Sequence, residues 1–354
     1  MKRLSIHTTT IAAAMFILGA VPSARAVDCP NPQGACPRPI QLGVSGINMT
    51  GPCSSGTLGS LINLAADVPP AVAILSNNHV LALENAGTVN MDPIVQPGTL
   101  DNVPQCLQDQ ANMVGVLARF TPIDFSGAPN IMDIAYAAIL PGAVDLSGSI
   151  ARIGLVSTTP FPGVPPVGTA VKKHGRTTGL TTASISAVNV TVTVGYSAGS
   201  ALFVNQYMIT PGGFSAAGDS GSLIVENTAT CARAVGLLFA GSAASTLANP
   251  LNQYLTFTGS NIVGNSTCPS SAGPAVQPAP AAAMSAARAA QSSHTARLMA
   301  TPGVVGTGIG RDASGAPILE IYVESEADAA RLALPSALDG VPTRVIPTGK
   351  FVAF

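Results

Sequence analysis

Between Gly43 and Thr258 the apolar residues come in short runs, with no long stripe at helical spacing. Val- and Ile-rich stretches at Ala71–Ser76, Val114–Phe120, Asp133–Leu140, Ala183–Val194, Leu223–Glu226 and Ala234–Phe239 are punctuated by Gly and Pro. Runs of this length between turn residues predict strands, and their regular recurrence predicts an all-β barrel or a pair of barrels. Pattern alone leaves one barrel or two open. Near Pro269 the pattern changes. Residues Pro269 to His294 are rich in Ala, Pro and Ser. The first half reads as a linker and Ala281–Met299 as an Ala-rich helix. Beyond it, Val304–Gly310, Pro317–Glu324 and Pro342–Pro347 read as strands and Glu326–Leu334 as a helix. The chain therefore divides into a main β region to residue 268, a linker over 269–297 and a small C-terminal α+β module over 298–354.

The opening residues add a compartment. Lys2 and Arg3 precede an apolar stretch, about Ile11 to Val21, and Ala24-Arg25-Ala26 offers small residues where a signal peptidase reads. Residues 1–26 are thus expected to be a cleaved signal peptide, and the protein to be secreted or periplasmic. The stretch is too short to span a bilayer and no later run reaches ~18 apolar residues, so no membrane anchor is expected. Charge is sparse and balanced, 16 Lys and Arg against 17 Asp and Glu. Nucleic acid therefore finds no electrostatic footprint. All six cysteines follow the leader (Cys29, Cys36, Cys53, Cys106, Cys231, Cys268), which in an exported chain predicts disulfides. Their connectivity is open, with Cys231–Cys268 favoured as a tie between the end of the β region and a strand. Without a C-x-x-C or a Cys/His cluster, no metal site is expected, and no cofactor.

Serine hydrolysis needs a hydroxyl, a base held in one tautomer by a carboxylate, and N–H donors aimed at the developing oxyanion. After the leader only His79, His174 and His294 can serve as base. His79 ends an apolar run, Ile74-Leu75-Ser76-Asn77-Asn78-His79. Ser220 lies in Ala217-Gly218-Asp219-Ser220-Gly221-Ser222, ahead of the apolar Leu223-Ile224-Val225. Gly218 permits a sharp turn that aims the Gly218 and Ser220 N–H groups at one point, an oxyanion hole in outline. Of the acids between His79 and Ser220, Asp133 interrupts the apolar run Ile131–Ile139. A carboxylate there is costly unless paired, and an imidazole N–H would pair it. Asp124 is the reserve choice. The order His, Asp, Ser differs from the Ser, acid, His of α/β-hydrolases, whose G-x-S-x-G is also lacking because Ser222 takes the place of its second glycine.

These residues resemble the trypsin-like serine peptidases, and within them a bacterial branch related to the plant narrow-leaf proteins. The likeness is carried by Leu75–Ala82, Asp133-Ile134-Ala135, Lys172–Thr182, Ser215–Val225 and Val235–Gly241. It implies that residues 27–268 form a chymotrypsin-like domain of two six-stranded antiparallel β-barrels with the site between them. It also implies His79 as base, Asp133 as its orienter, Ser220 as nucleophile and the Gly218 and Ser220 N–H groups as oxyanion hole. Phe214 and Gly241 become the substrate-binding candidates. Phe214 stands six residues before the nucleophile, where an Asp would select Lys or Arg, so an apolar or shallow pocket and small or apolar P1 residues are expected. Phe239-Ala240-Gly241 replaces the usual Ser-Trp-Gly, removing a hydroxyl expected beside the buried carboxylate. Asp219 pairs with a newly cut N-terminus in digestive relatives. No matching activation sequence is visible near Val27, which leaves Asp219 to bond within its own loop.

The expected function is an exported serine endopeptidase acting on protein or peptide substrates through an acyl-enzyme. A non-enzymatic binding protein on a protease scaffold and an esterase with the same triad are the alternatives. Three features have plain structural readings. Lys172-Lys173-His174-Gly175-Arg176 is expected to be a polar hairpin with its charges in water. Gly306-Thr307-Gly308-Ile309-Gly310 lacks nucleotide-loop spacing and reads as a glycine-rich strand. His294 is expected to be solvated. The C-terminal block resembles a small module that accompanies such peptidases, often on their N-terminal side.

Overall fold

The computed structural model describes residues 28–65, 71–268 and 276–354. The expected signal peptide lies outside these residues, as does the start of the linker. The first half of the chain supplies β1 (Val44–Asn48), β2 (Gly56–Leu58), β3 (Ser60–Leu64), β4 (Ala71–Ser76), α1 (Asn78–Leu81), β5 (Pro93–Val95), β6 (Met113–Phe120) and β7 (Ala135–Ile139). The second supplies β8 (Ala170–Gly175), β9 (Gly179–Tyr196), β10 (Gly199–Thr210), β11 (Leu223–Glu226), β12 (Ala234–Gly241) and β13 (Thr246–Asn249). After these come α2 (Leu251–Thr258), β14 (Asn261–Ile262) and α3 (Ala281–Met299). The remainder is β15 (Val304–Arg311), β16 (Pro317–Val323), α4 (Glu326–Arg331), β17 (Ala337–Leu338), β18 (Val341–Pro347) and β19 (Phe351–Ala353).

Both barrels of the expected all-β, chymotrypsin-like plan are present. In the first, only Gly59 separates β2 from β3, so they act as one bent strand. β2 pairs with β1 and β3 with β4, and the order β3-β4-β7-β6-β5-β1-β2 returns the sheet to its start. In the second, the order β10-β13-β12-β11-β8-β9 is closed by the pairing of β9 with β10. Closure leaves neither barrel an open edge along these strands. Val44, Leu58, Leu61, Ile74, Leu117 and Ala137 fill the first barrel. Ile62, Leu75 and Tyr136 from the first barrel share a buried cluster with Leu223, Val225 and Leu237 from the second. That shared cluster fixes the two barrels against each other, and so fixes the residues that meet between them.

β9 is long because it serves two structures. Its first part pairs with β8, its middle with β15 and its end with β19, while its other edge follows β10. The second sheet thereby runs on from the barrel through β15, β16, β18 and β17. Ile309, Leu319, Ile321 and Val323 of the C-terminal region share a buried cluster with Ile185, Val188 and Leu238 of the barrel. The Ala-rich stretch is helical as expected, and α3 buries Ala287, Ala290, Gln291 and Leu298. Gln291 donates to the Asn189 carbonyl (2.9 Å) and accepts from the Asn189 amide (2.7 Å), fastening the helix to β9. His294, expected in water, lies 3.1 Å from Asp339 with a side chain 23% exposed. The six cysteines pair as Cys29–Cys36, Cys53–Cys106 and Cys231–Cys268. Among the described residues no helix is long and apolar enough to cross a membrane.

Candidate active site

β4 ends at Ser76, Asn77 turns the chain, and the single turn of α1 carries His79. β4 and β7 run antiparallel with Ser76 opposite Ala135. Continuing that register past Ser76 brings the start of α1 beside Asp133, two residues ahead of β7. Asp133 is wholly buried. Its Oδ2 lies 2.6 Å from His79 Nδ1, and its Oδ1 accepts the His79 backbone N–H at 3.3 Å. The Asp133 N–H donates to Asn249 Oδ1 (3.0 Å) and its carbonyl accepts from Asn77 (2.7 Å). The carboxylate is thus fixed from both sides, and it holds the imidazole with its proton on Nδ1.

A residue the sequence did not single out completes this pair. Tyr196, the last residue of β9, donates its hydroxyl to Asp133 Oδ2 at 2.9 Å, and its ring meets the imidazole edge-on at 5.9 Å. Burial and the neighbouring Asp133 push the Tyr196 phenol well above its ordinary range, so it remains a donor. It supplies the hydroxyl that Phe239-Ala240-Gly241 lacks. Burial works against the charged form of His79, but Asp133, the Phe354 carbonyl and Glu84 together outweigh it and lift the imidazole above its ordinary 6.5. An imidazole acting as base must be neutral, so activity should rise with pH to a midpoint above 6.5. Tyr196→Phe removes a donor that withdraws charge from Asp133. The midpoint should move further up and kcat/KM should fall about tenfold, which pH–rate profiles of the two proteins will show.

Ser220 is fully buried on the turn before β11. Its Oγ donates to the Phe239 carbonyl at 3.1 Å, and His79 Nε2 faces the Phe354 carbonyl at 3.1 Å. The structure joins His79 to Asp133 directly, but among the described residues it makes no hydrogen bond between His79 and Ser220: the Ser220 hydroxyl is turned to the Phe239 carbonyl, and the Phe354 carbonyl stands at Nε2. Gly218 has φ +94°, a left-handed conformation that glycine adopts without strain. The N–H groups of Asp219 and Gly221 donate to the Ala216 and Leu238 carbonyls. Those of Gly218 and Ser220 donate to no protein acceptor among the described residues. Buried N–H groups are rarely left unpaired, and two such donors flanking one residue beside a serine are the requirement for an oxyanion hole. Asp124, the reserve carboxylate, instead accepts the Ser126 and Ala128 N–H groups of its own exposed turn.

The charged hairpin is not where its sequence suggested. Lys173 has no exposure and His174 only 4%. His174 Nδ1 bonds the Gly43 carbonyl at 2.8 Å, and burial lowers its pKa. Lys173 lies 3.4 Å from Asp219, donates to the Gly179 carbonyl and sits over the Phe214 ring. Asp219 also accepts the Ala216 N–H (3.0 Å) of its own loop, as expected, and the Thr177 and Thr178 N–H groups of the hairpin. The loop bearing Ser220 is therefore bound to the hairpin from inside the protein. Phe214 is a core residue, 2% exposed. Gly241 ends β12, where an added Cβ would stand 2.6 Å from the Phe354 ring.

A cleft of about 590 Å³ opens beside these residues, lined by His79, Leu83, Glu84, Tyr196, Val352 and Phe354. No protein-family profile matches the chain, and no curated protein matches it. Among solved structures it is similar to a glutamic acid specific serine protease described as using a novel histidine triad in substrate binding. That similarity has 20% identity and a TM-score of 0.43, over 63% of this chain and 100% of the other. Thermobifida fusca protease A is similar at 16% identity and a TM-score of 0.42, over 64% and 99% of the two chains. Nocardiopsis protease is similar at 16% identity and a TM-score of 0.42, over 63% and 98%.

Proposed function

We propose that the protein is an exported serine endopeptidase in which His79 is the general base, Asp133 its orienter and Ser220 the nucleophile. The observation that carries this reading is the His79–Asp133 contact of 2.6 Å, set between the two barrels beside a glycine turn with two undonated N–H groups. In this mechanism Ser220 gives its proton to His79 Nε2 as it attacks a peptide carbonyl. Asp133 stabilises the imidazolium, and the Gly218 and Ser220 N–H groups receive the oxyanion. His79 then delivers the proton to the leaving amine, and water resolves the acyl-enzyme by the same steps. A small or apolar P1 side chain is the preference read from the sequence; Phe214 itself is buried beneath the Lys173 ammonium and does not line the cleft. Three disulfides fit an oxidising compartment outside the cytosol. The narrower kinship with narrow-leaf proteins rests on the sequence blocks.

A fluorophosphonate probe tests the reading. It should label the wild-type protein, and labelling should vanish in Ser220→Ala while the fold is retained. A folded wild type that resists the probe in every form would instead favour a binding protein on this scaffold. Peptide and ester panels then separate a peptidase from an esterase.

A further inference from the structure

Residues 351–354 lie in the cleft as an extended strand. β19 runs antiparallel to β12, with Ala353 opposite Ala240 and Val352 opposite Gly241. On its other edge it runs parallel to β9, with Phe351 opposite Val194 and Val352 opposite Gly195. The ladder continues to Phe354, whose N–H donates to the Phe239 carbonyl at 3.3 Å, the same oxygen that accepts the Ser220 hydroxyl. The Phe354 carbonyl then stands 3.1 Å from His79 Nε2, a contact in which Nε2 must donate, so with Nδ1 donating to Asp133 it suits the imidazolium and not the neutral base. Backbone pairing of this kind is how a sheet edge takes up a peptide, with pockets reading the alternate side chains. The Phe354 ring packs on the cluster containing Phe214 and Leu238 and passes over Gly241, where any side chain would collide with it. Ala353 and Val352 line the cleft, Val352 being 48% exposed. Phe351 is buried against Tyr322 of β16, ring centroids 6.5 Å apart, so the C-terminal strands hold the segment in place.

We propose that residues 351–354 are a built-in ligand of the cleft, paired along β12 as the acyl half of a peptide substrate would be, with the Phe354 carbonyl turned to His79 rather than to the Gly218 and Ser220 N–H groups. On this assignment the site selects extended peptides with a large aromatic side chain in the position of Phe354. The assignment rests on the serine-peptidase reading of the same site. It narrows the apolar preference to an aromatic one, and it makes the C-terminal strands an inhibitor in cis. A site occupied by its own chain meets outside ligands only in the fraction of molecules whose cleft is open.

The test compares the full chain with a form lacking residues 353 and 354, which keeps Phe351 in its core, and with full-length Phe354→Asp. Both altered proteins should react with a fluorophosphonate at Ser220 at least ~10-fold faster than the full chain. The tetrapeptide Phe-Val-Ala-Phe should slow the shortened form again, and the shortened form should hydrolyse Phe-Val-Ala-Phe-p-nitroanilide at least ~10-fold more efficiently than its Ala-ended counterpart. Equal labelling of all three proteins overturns the built-in ligand while leaving the peptidase reading standing. Faster labelling with no preference for Phe over Ala overturns the aromatic assignment. Labelling of none removes the serine-hydrolase reading itself, and this proposal with it.

Discussion

Asp133→Asn is expected to lower kcat/KM about ten-thousand-fold, or ~5.5 kcal/mol in the barrier, without unfolding the protein. The reason is a tautomer. Oδ1 of Asp133 faces the His79 backbone N–H, which can only donate, so the amide oxygen of the variant belongs there. Its NH2 group then takes the place of Oδ2, 2.6 Å from Nδ1. A donor at that point leaves Nδ1 as acceptor and moves the imidazole proton to Nε2, the nitrogen that must accept from Ser220. Tyr196 can turn its hydroxyl to accept from the new NH2, and the Asp133 backbone bonds to Asn77 and Asn249 are untouched. Stability should therefore change by much less than the barrier does. Denaturant unfolding should find the variant within ~1–2 kcal/mol of wild type, while fluorophosphonate labelling falls with kcat/KM. A loss of only a few fold would show that Asp133 is not the orienter.

The parts of this site legible in the sequence share a property: each breaks a local pattern. Asp133 was visible because a charge interrupts an apolar run, and burial of that charge demands a partner. Ser220 was visible because glycines surround it directly before an apolar strand. His79 stood out through the scarcity of histidines. The parts that stayed hidden depend on partners distant along the chain. Tyr196 ends a strand as many tyrosines do, and its meaning comes from a carboxylate 63 residues away. β10 was not foreseen, because Asn205 and Gln206 interrupt its apolar pattern. Asn205 has φ 62°, and the pairing with β9 shifts register there, so the polar residues mark a bulge inside a strand. β19 is three residues long and has no periodicity to detect. Only the closing of two barrel strands around it makes it a strand. The module's longer elements, β15, β16, α4 and β18, were legible, but its fusion to the barrel through β9 was not, because the sequence of β9 does not reveal that its successive parts have different neighbours.

Lys173 is the sharpest case, and its replacement carries the second large effect. Two adjacent lysines, a histidine and an arginine in five residues look like a solvated hairpin, yet the Lys173 ammonium is wholly enclosed. It donates to the Thr178 hydroxyl and the Gly179 carbonyl (2.9 Å) and stands 3.4 Å from Asp219. Burial lowers the lysine's pKa, and the Asp219 charge draws it back. The ammonium that meets Asp219 comes from a strand of the same barrel. Lys173→Met keeps the length of the side chain and removes the charge, leaving Asp219 buried without a cation. Breaking such a pair from one side costs about 3–5 kcal/mol, which urea unfolding will measure. The double variant Lys173→Met/Asp219→Asn should recover most of that stability. It should not recover fluorophosphonate reactivity at Ser220. An Asn oxygen accepts the Thr177 and Thr178 N–H groups less strongly than a carboxylate, and where its NH2 faces the Ala216 N–H two donors oppose each other. A double variant that regains both stability and wild-type reactivity would show that the pair only supports the fold. One that regains stability alone assigns the buried ion pair to holding the Gly218 and Ser220 amides in position.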